Sequence, residues 1–203
     1  MHSHHHEGQS ARVLIWSLIA TAVFVAIEVI AGVRAHSLAL LSDAGHNATD
    51  ALALLLAWFA VFCQRMPADE TRTFGYHRAG VLAAFVNALT LAVLSVWILY
   101  ESWTRVLHPV AVNDRVMLWV ALGAVVLNGG VMVGIQRSGD KSVNLRGAYI
   151  HMMGDLLGAI GIIAGSLVIR FTGWTTADPL LSAVIAVLII WTAWDIILSL
   201  IHI

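Results

Sequence analysis

Two short segments of this 203-residue chain carry the same pair of side chains at the same spacing. One reads Ser42-Asp43-Ala44-Gly45-His46-Asn47-Ala48-Thr49-Asp50 and the other His151-Met152-Met153-Gly154-Asp155, so each contains His-x-x-x-Asp. Residues four apart share one face of a helix, with Cβ atoms about 5–6 Å apart. Each segment would therefore present an imidazole beside a carboxylate. Two such helices placed face to face would gather two imidazoles and two carboxylates around one point. That donor set suits Zn²⁺, which takes four tetrahedral ligands from histidine nitrogen, carboxylate oxygen or thiolate. Two carboxylates also balance the two positive charges of the ion, which matters where the dielectric is low. Ca²⁺ and Mg²⁺ would ask for more oxygens and fewer imidazoles. Mn²⁺, Fe²⁺, Co²⁺, Ni²⁺ and Cd²⁺ stay compatible, because imidazole accepts several of them. His46, Asp50, His151 and Asp155 are the candidate metal ligands.

The elements that must hold these residues are apolar. Hydrophobic residues make up 60% of the chain and charged residues 11%, against about 25% charged in soluble domains. Lipid is the natural solvent for such a chain. A spanning helix needs roughly 20 apolar residues, and the sequence offers runs at about 11–33, 38–62, 79–100, 115–136, 145–170 and 179–202. The expected fold class is all-α, a polytopic membrane protein with six transmembrane helices in one bundle over residues 11–203. Residues 1–10 read as a flexible His-rich cytoplasmic tail, with His2, His4, His5 and His6 as either a metal-collecting cluster or an expression remnant. Pro67, Pro109 and Pro179 fall between the runs or at their starts, where proline is tolerated. Asp178 reads as the N-cap of the last run, with Pro179 as its first helical residue.

Lys and Arg set orientation. Arg12, Arg65, Arg72, Arg78, Arg137, Lys141 and Arg146 would lie on one side, Arg34, Arg105, Arg115 and Arg170 on the other, 7 against 4. That bias predicts a cell (inner or plasma) membrane protein with both termini in the cytoplasm. Trp16, Trp97, Trp103 and Trp174 stand near run ends, as interfacial anchors or lipid-facing bulk. Gly154/Gly158, Gly161/Gly165 and Gly130/Gly134 have the four-residue spacing that lets helices approach closely in lipid. The net charge of −1 offers no basic surface for nucleic acid, and the single cysteine, Cys63, excludes an intramolecular disulfide or a Cys-rich metal site. Residues 2–7 lack the basic region of a cleavable signal.

Charged groups inside spans are costly and mark function by default. Asp43 shares the Asp50 face seven residues earlier, and Glu28 lies near the outer end of the first run. Together they could line a cation pathway; outer-end capping is the alternative. Asn47 and Asn87 read as packing or supporting partners, Asp195 with Arg78 as a structural ion pair, and His36, His77, His108 and His202 as interfacial.

Three stretches carry a resemblance to a known family. The segments 37–50, Phe74-Gly-Tyr-His-Arg-Ala79 and 143–155, with Asp178-Pro-Leu-Leu-Ser182 before the last run, resemble the cation diffusion facilitators in order, spacing and position. That resemblance implies six helices, a homodimer, and export of Zn²⁺ or related metals from the cytoplasm in exchange for protons by alternating access. It matches the transport site to His46, Asp50, His151 and Asp155, with Zn²⁺ as substrate, no organic cofactor and no catalytic residue. Most members carry a soluble C-terminal domain, whereas this chain ends at Ile203, and residues 137–146 contain no histidine. Dimerisation is therefore expected to rest on the membrane helices. An integral-membrane metalloenzyme and a non-transporting metal-binding scaffold are the competing readings. Catalytic zinc usually keeps an open position for water, and four convergent ligands argue against that.

Overall fold

Long apolar runs separated by proline, glycine and charge leave the backbone one way to satisfy its polar groups in lipid, as helix. A computed structural model describes the backbone of residues 4–64, 79–137 and 143–201. In chain order the elements are α1 (His4–Ala35), α2 (Leu38–Gln64), α3 (Ala79–Leu107), α4 (Asp114–Arg137), α5 (Val143–Thr172) and α6 (Ala177–Ile201). Among the described residues there are six helices and no strand, an all-α architecture. The N-terminal His2, the 65–78 segment with Pro67, His77 and Arg78, the 138–142 segment with Lys141, and His202 lie outside the described residues, as do the side chains of His4, His5, His6, Arg12, Trp16, Cys63 and Arg146.

Among the described residues, Val81–Leu107, Asp114–Arg137, Tyr149–Thr172 and Ala177–Asp195 are long and apolar enough to cross a membrane. Their flanks expose large apolar side chains, with Phe171 at 80% and Trp119 and Val126 at 72%. A soluble monomer rarely leaves apolar patches beyond a few hundred Å²; lipid accounts for these. Trp97, Trp103 and Trp174 are exposed in the same way, as lipid-facing or interfacial groups should be. Helix α3 ends at Leu107, beyond the apolar run that stops near 100. Glu101 and Arg105, four apart with Nε–Oε1 at 3.0 Å, extend it, and a cation in the last turn favours the helix dipole.

The chain divides into two compact units, one of residues 1–27, 44–96 and 188–203, the other of residues 28–43 and 97–187. In the second, Ala35, Ala39, Met117, Ala121, Ile162 and Ile169 belong to one buried cluster, and α4 packs along α5. Small residues are favoured there because packing in lipid depends on close approach rather than on expelling water. Gly161 and Gly165 meet this expectation by facing Leu181 of α6, but among the described residues no atom lies within 4 Å of where a Cβ would stand on Gly130, Gly134 or Gly154. Spacing alone cannot say which glycines of a row meet a neighbour. In the first unit Asn87, Ala88, Leu91 and Ser95 form the buried face of α3. There Gly45 of α2 lies so close to α3 that a Cβ on it would stand 2.6 Å from Leu94 Cδ2.

The turn between α1 and α2 is heavily bonded. His36 takes φ of 54°, a left-handed conformation in which histidine is enriched among non-glycine residues. Ser37 N donates to Gly32 O at 3.0 Å and His36 N to Val33 O at 3.3 Å, the two bonds of a Schellman C-cap. Arg105 Nη1 donates to His36 O at 2.7 Å, and Asn113 N donates to Ala35 O at 2.9 Å. Ser37 is at once the N-cap of α2, its Oγ accepting from Leu40 N at 3.2 Å.

Helix α6 starts at Ala177, one residue before the expected N-cap. Asp178 thus lies inside the first turn, and its side chain caps another helix. Its carboxylate accepts from Ser37 Oγ at 2.6 Å, Leu38 N at 2.7 Å and Ala39 N at 3.2 Å. Pro179 still fits in the first turn, because the opening amides of a helix have no intrahelical acceptor to lose. At the other side of the α5–α6 connection, Gly173 takes φ of 71° and donates from N to Ile169 O at 2.8 Å, closing α5 by a left-handed cap.

Candidate metal-transport site

The four expected ligands lie on α2 and α5, two turns or more inside each helix. In the first unit, His46 Nε2 stands 3.6 Å from Asp50 Oδ2, with side-chain exposures of 23% and 29%. In the second, His151 Nε2 stands 3.7 Å from Asp155 Oδ2, and the Asp155 side chain is only 6% exposed. The helical spacing therefore does what the sequence implied, turning each histidine toward its own aspartate.

The separations themselves carry information. A charge-assisted N–H···O bond would draw nitrogen and oxygen to about 2.7–2.9 Å. Two donors each about 2.1 Å from a tetrahedral ion stand about 3.4 Å apart. Both pairs are spaced wider than such a bond, at a separation that two ligands of one ion can also have. A carboxylate buried as deeply as Asp155 also needs a cationic or hydrogen-bonding partner to offset its lost hydration.

The surroundings of α2 are polar for a membrane helix. Thr49 Oγ1 donates to His46 O at 2.7 Å, and Ser42 Oγ donates to Leu38 O at 2.8 Å. Such bonds satisfy the hydroxyls within the helix and bend it slightly. Asn47 is half-buried and Asn87 buried, and the Asn87 Oδ1 has no hydrogen-bond partner among the described residues.

The two proposed pathway carboxylates both fall in the second unit. Glu28 is fully buried and Asp43 nearly so. Asp43 Oδ1 lies 4.0 Å from where a Cβ would stand on Gly158, which places α2 against α5 at that level. Asp195 is exposed, and its expected partner Arg78 lies outside the described residues. His36 and His108 are exposed at helix ends, in keeping with an interfacial reading. The sequence did not reveal the bond set of Asp178, whose partners stand about 140 residues away along the chain; its only visible sign was an aspartate before a proline.

A helical chain with four described helices long and apolar enough to cross a membrane is a polytopic membrane protein. It belongs to the cation efflux family: the model of the cation efflux transmembrane domain matches residues 14–203. The chain is 43% identical over 203 residues to the zinc transporter ZitB of Pectobacterium atrosepticum, covering 99% of this chain and 63% of that protein. It is 39% identical over 198 residues to the metal cation efflux system protein CzcD of Cupriavidus metallidurans, covering 98% and 63%. To the cadmium, cobalt and zinc/H⁺-K⁺ antiporter of Bacillus subtilis it is 37% identical over 205 residues, covering 100% and 66%. The chain thus spans somewhat under two thirds of the length of the ZitB and CzcD relatives.

Proposed function

We propose that this chain exports Zn²⁺, and related divalent transition metals, from the cytoplasm in exchange for protons, and that His46, Asp50, His151 and Asp155 together form the transport site. The observation that carries the reading is the matched pair of chelating arms on α2 and α5, each held at the nitrogen–oxygen spacing of an ion-sharing pair. The approach of Asp43 to Gly158 supports it. The names of the relatives agree, one being a zinc transporter and another an antiporter of cadmium, cobalt and zinc against H⁺ and K⁺.

Exchange follows from the chemistry of the donors. Metal binds deprotonated imidazole and carboxylate, so proton and metal compete for the same atoms. Metal enters from the cytoplasm on the deprotonated ligands, the helices rock, and protonation on the far side helps expel the ion. Asp43 and Glu28 lie on the cation's path, and the chain acts as a homodimer through its membrane helices with both termini in the cytoplasm. No organic cofactor enters this scheme.

The test is Zn²⁺ flux in proteoliposomes with and without a proton gradient, wild type against His46→Ala. The expected result is flux that rises with the gradient and vanishes in the variant. Flux indifferent to the gradient would remove the exchange step, and normal flux in His46→Ala would remove the site.

A further inference from the structure

The geometry points to Asp178 as a positioning residue of the transport site: by gripping the first turn of α2 it sets the height and rotation at which that helix presents His46 and Asp50. This inference rests on the transport site proposed above. Asp178 is itself fully buried, as are Ser37, Leu38, Ala39 and Leu40. Its two carboxylate oxygens take three donors, the Ser37 hydroxyl and the amides of Leu38 and Ala39, at 2.6–3.2 Å. The Ser37 hydroxyl in turn takes the amide of Leu40. Every one of the first three amides of α2 is thereby satisfied, two of them by a side chain of α6.

An N-cap normally comes from the residue just before its own helix. Here the α2 cap is shared with a second helix, so capping and helix–helix attachment are one bond set. The carboxylate also faces the positive end of the α2 dipole. Arg105 and Asn113 hold the preceding turn by the carbonyls of His36 and Ala35, so the chain cannot slide behind the clamp. A slip of one residue would move every later α2 side chain by about 1.5 Å and turn it by about 100°. His46 lies eight residues past Leu38, about 12 Å along the same continuous helix. A fixed start therefore fixes which residues of α2 share the face of His46 and Asp50.

The experiment compares wild type, Asp178→Asn, Ser37→Ala and His46→Ala in the same lipid. Asp178→Asn keeps the shape but turns one acceptor into a donor facing an amide. Hydrogen exchange should speed up at Leu38, Ala39 and Leu40 by about tenfold, the order of magnitude of losing a cap. The KM for Zn²⁺ should rise by about fivefold or more, and the preference for Zn²⁺ over the larger Cd²⁺ should fall, because the rotation of α2 that presents His46 and Asp50 is no longer set. A clamp that only holds the fold would lower the amount of active protein equally for both metals and leave the Zn²⁺/Cd²⁺ ratio of KM values unchanged. Ser37→Ala, which removes the hydroxyl bond to Asp178 and the acceptor of the Leu40 amide but leaves the Leu38 and Ala39 amides on Asp178, should show the same changes at smaller size; it carries the test if Asp178→Asn fails to fold. Wild-type exchange rates in the first turn, or an unchanged KM and metal ratio once those amides are freed, would overturn the proposal while His46→Ala still abolishes uptake. Normal uptake in His46→Ala would instead overturn the transport site, and the positioning role with it.

Discussion

Gly45→Ala is a small change whose sign can be worked out from the structure. The new Cβ would stand 2.6 Å from Leu94 Cδ2, with Leu94 Cγ and Cδ1 at 3.5 and 3.6 Å. Carbon atoms prefer separations of about 3.5–4.0 Å, so the conflict is about 1 Å and falls on a single methyl. Leu94 must leave its place, at a cost of about 1–3 kcal/mol for overpacking. Alanine in place of glycine returns up to about 1 kcal/mol of helix propensity. The net effect in the wild-type background is a loss of about 0–2 kcal/mol. In a Leu94→Ala background the conflict disappears and the same substitution should stabilise by about 0.5–1 kcal/mol. The assay is equilibrium unfolding of the four purified proteins in mixed micelles, arranged as a double-mutant cycle. The reasoning also reaches function, because Gly45 precedes His46: Zn²⁺ uptake should fall in Gly45→Ala and recover in the double variant. A coupling below about 0.5 kcal/mol, the level of independent sites, or a stabilising effect in both backgrounds, would refute the close approach of α2 to α3.

Zn²⁺ affinity should fall as pH falls, since protonated imidazole cannot ligate; histidine titrates near pH 6.5 in model peptides. With two histidines in competition the loss should approach about 100-fold per pH unit well below that value. Binding isotherms from pH 5 to 8 check it, and a flat profile would remove both imidazoles from the site. Gly134→Ala should stabilise the protein by about 0.5–1 kcal/mol through helix propensity, because nothing among the described residues lies within 4 Å of its Cβ position. The same unfolding assay reads it, and a loss of stability there would reveal a surface that packs on α4, such as a second copy of the chain.

The helices and the shared face of each His/Asp pair were legible because both depend on short-range rules. An apolar run has one low-energy backbone in lipid, and four residues of spacing fix a shared face. His46 with Asp50 and His151 with Asp155 therefore stand as their spacing implied. Helix ends were harder to read, since polar bonds rather than hydropathy decide them. Glu101 and Arg105 carry α3 past its apolar run, and α6 begins a residue before Asp178. Contacts between distant segments were invisible. The rows of small residues looked alike along the chain, yet Gly165 meets Leu181 while Gly134 meets nothing. In the same way, an aspartate before a proline gave no hint that it caps a helix that starts 140 residues earlier.

These local features give α2 an uneven stiffness along its length. Its first turn is fixed by Asp178 and Ser37, with every opening amide satisfied. Near the ligands the helix is notched by Gly45, and the His46 carbonyl takes the Thr49 hydroxyl at 2.7 Å, a bond that tends to bend a helix. An element that must hold an ion in one geometry and present it to two sides in turn needs both properties in sequence. Stiffness at the start preserves which residues face the ion. Compliance at the ligands lets their carbonyls and side chains reorient without slipping register. If access alternates as proposed, the change in α2 is therefore expected after Gly45, over the turn that carries His46 and Asp50, with the clamped start unchanged between the two states.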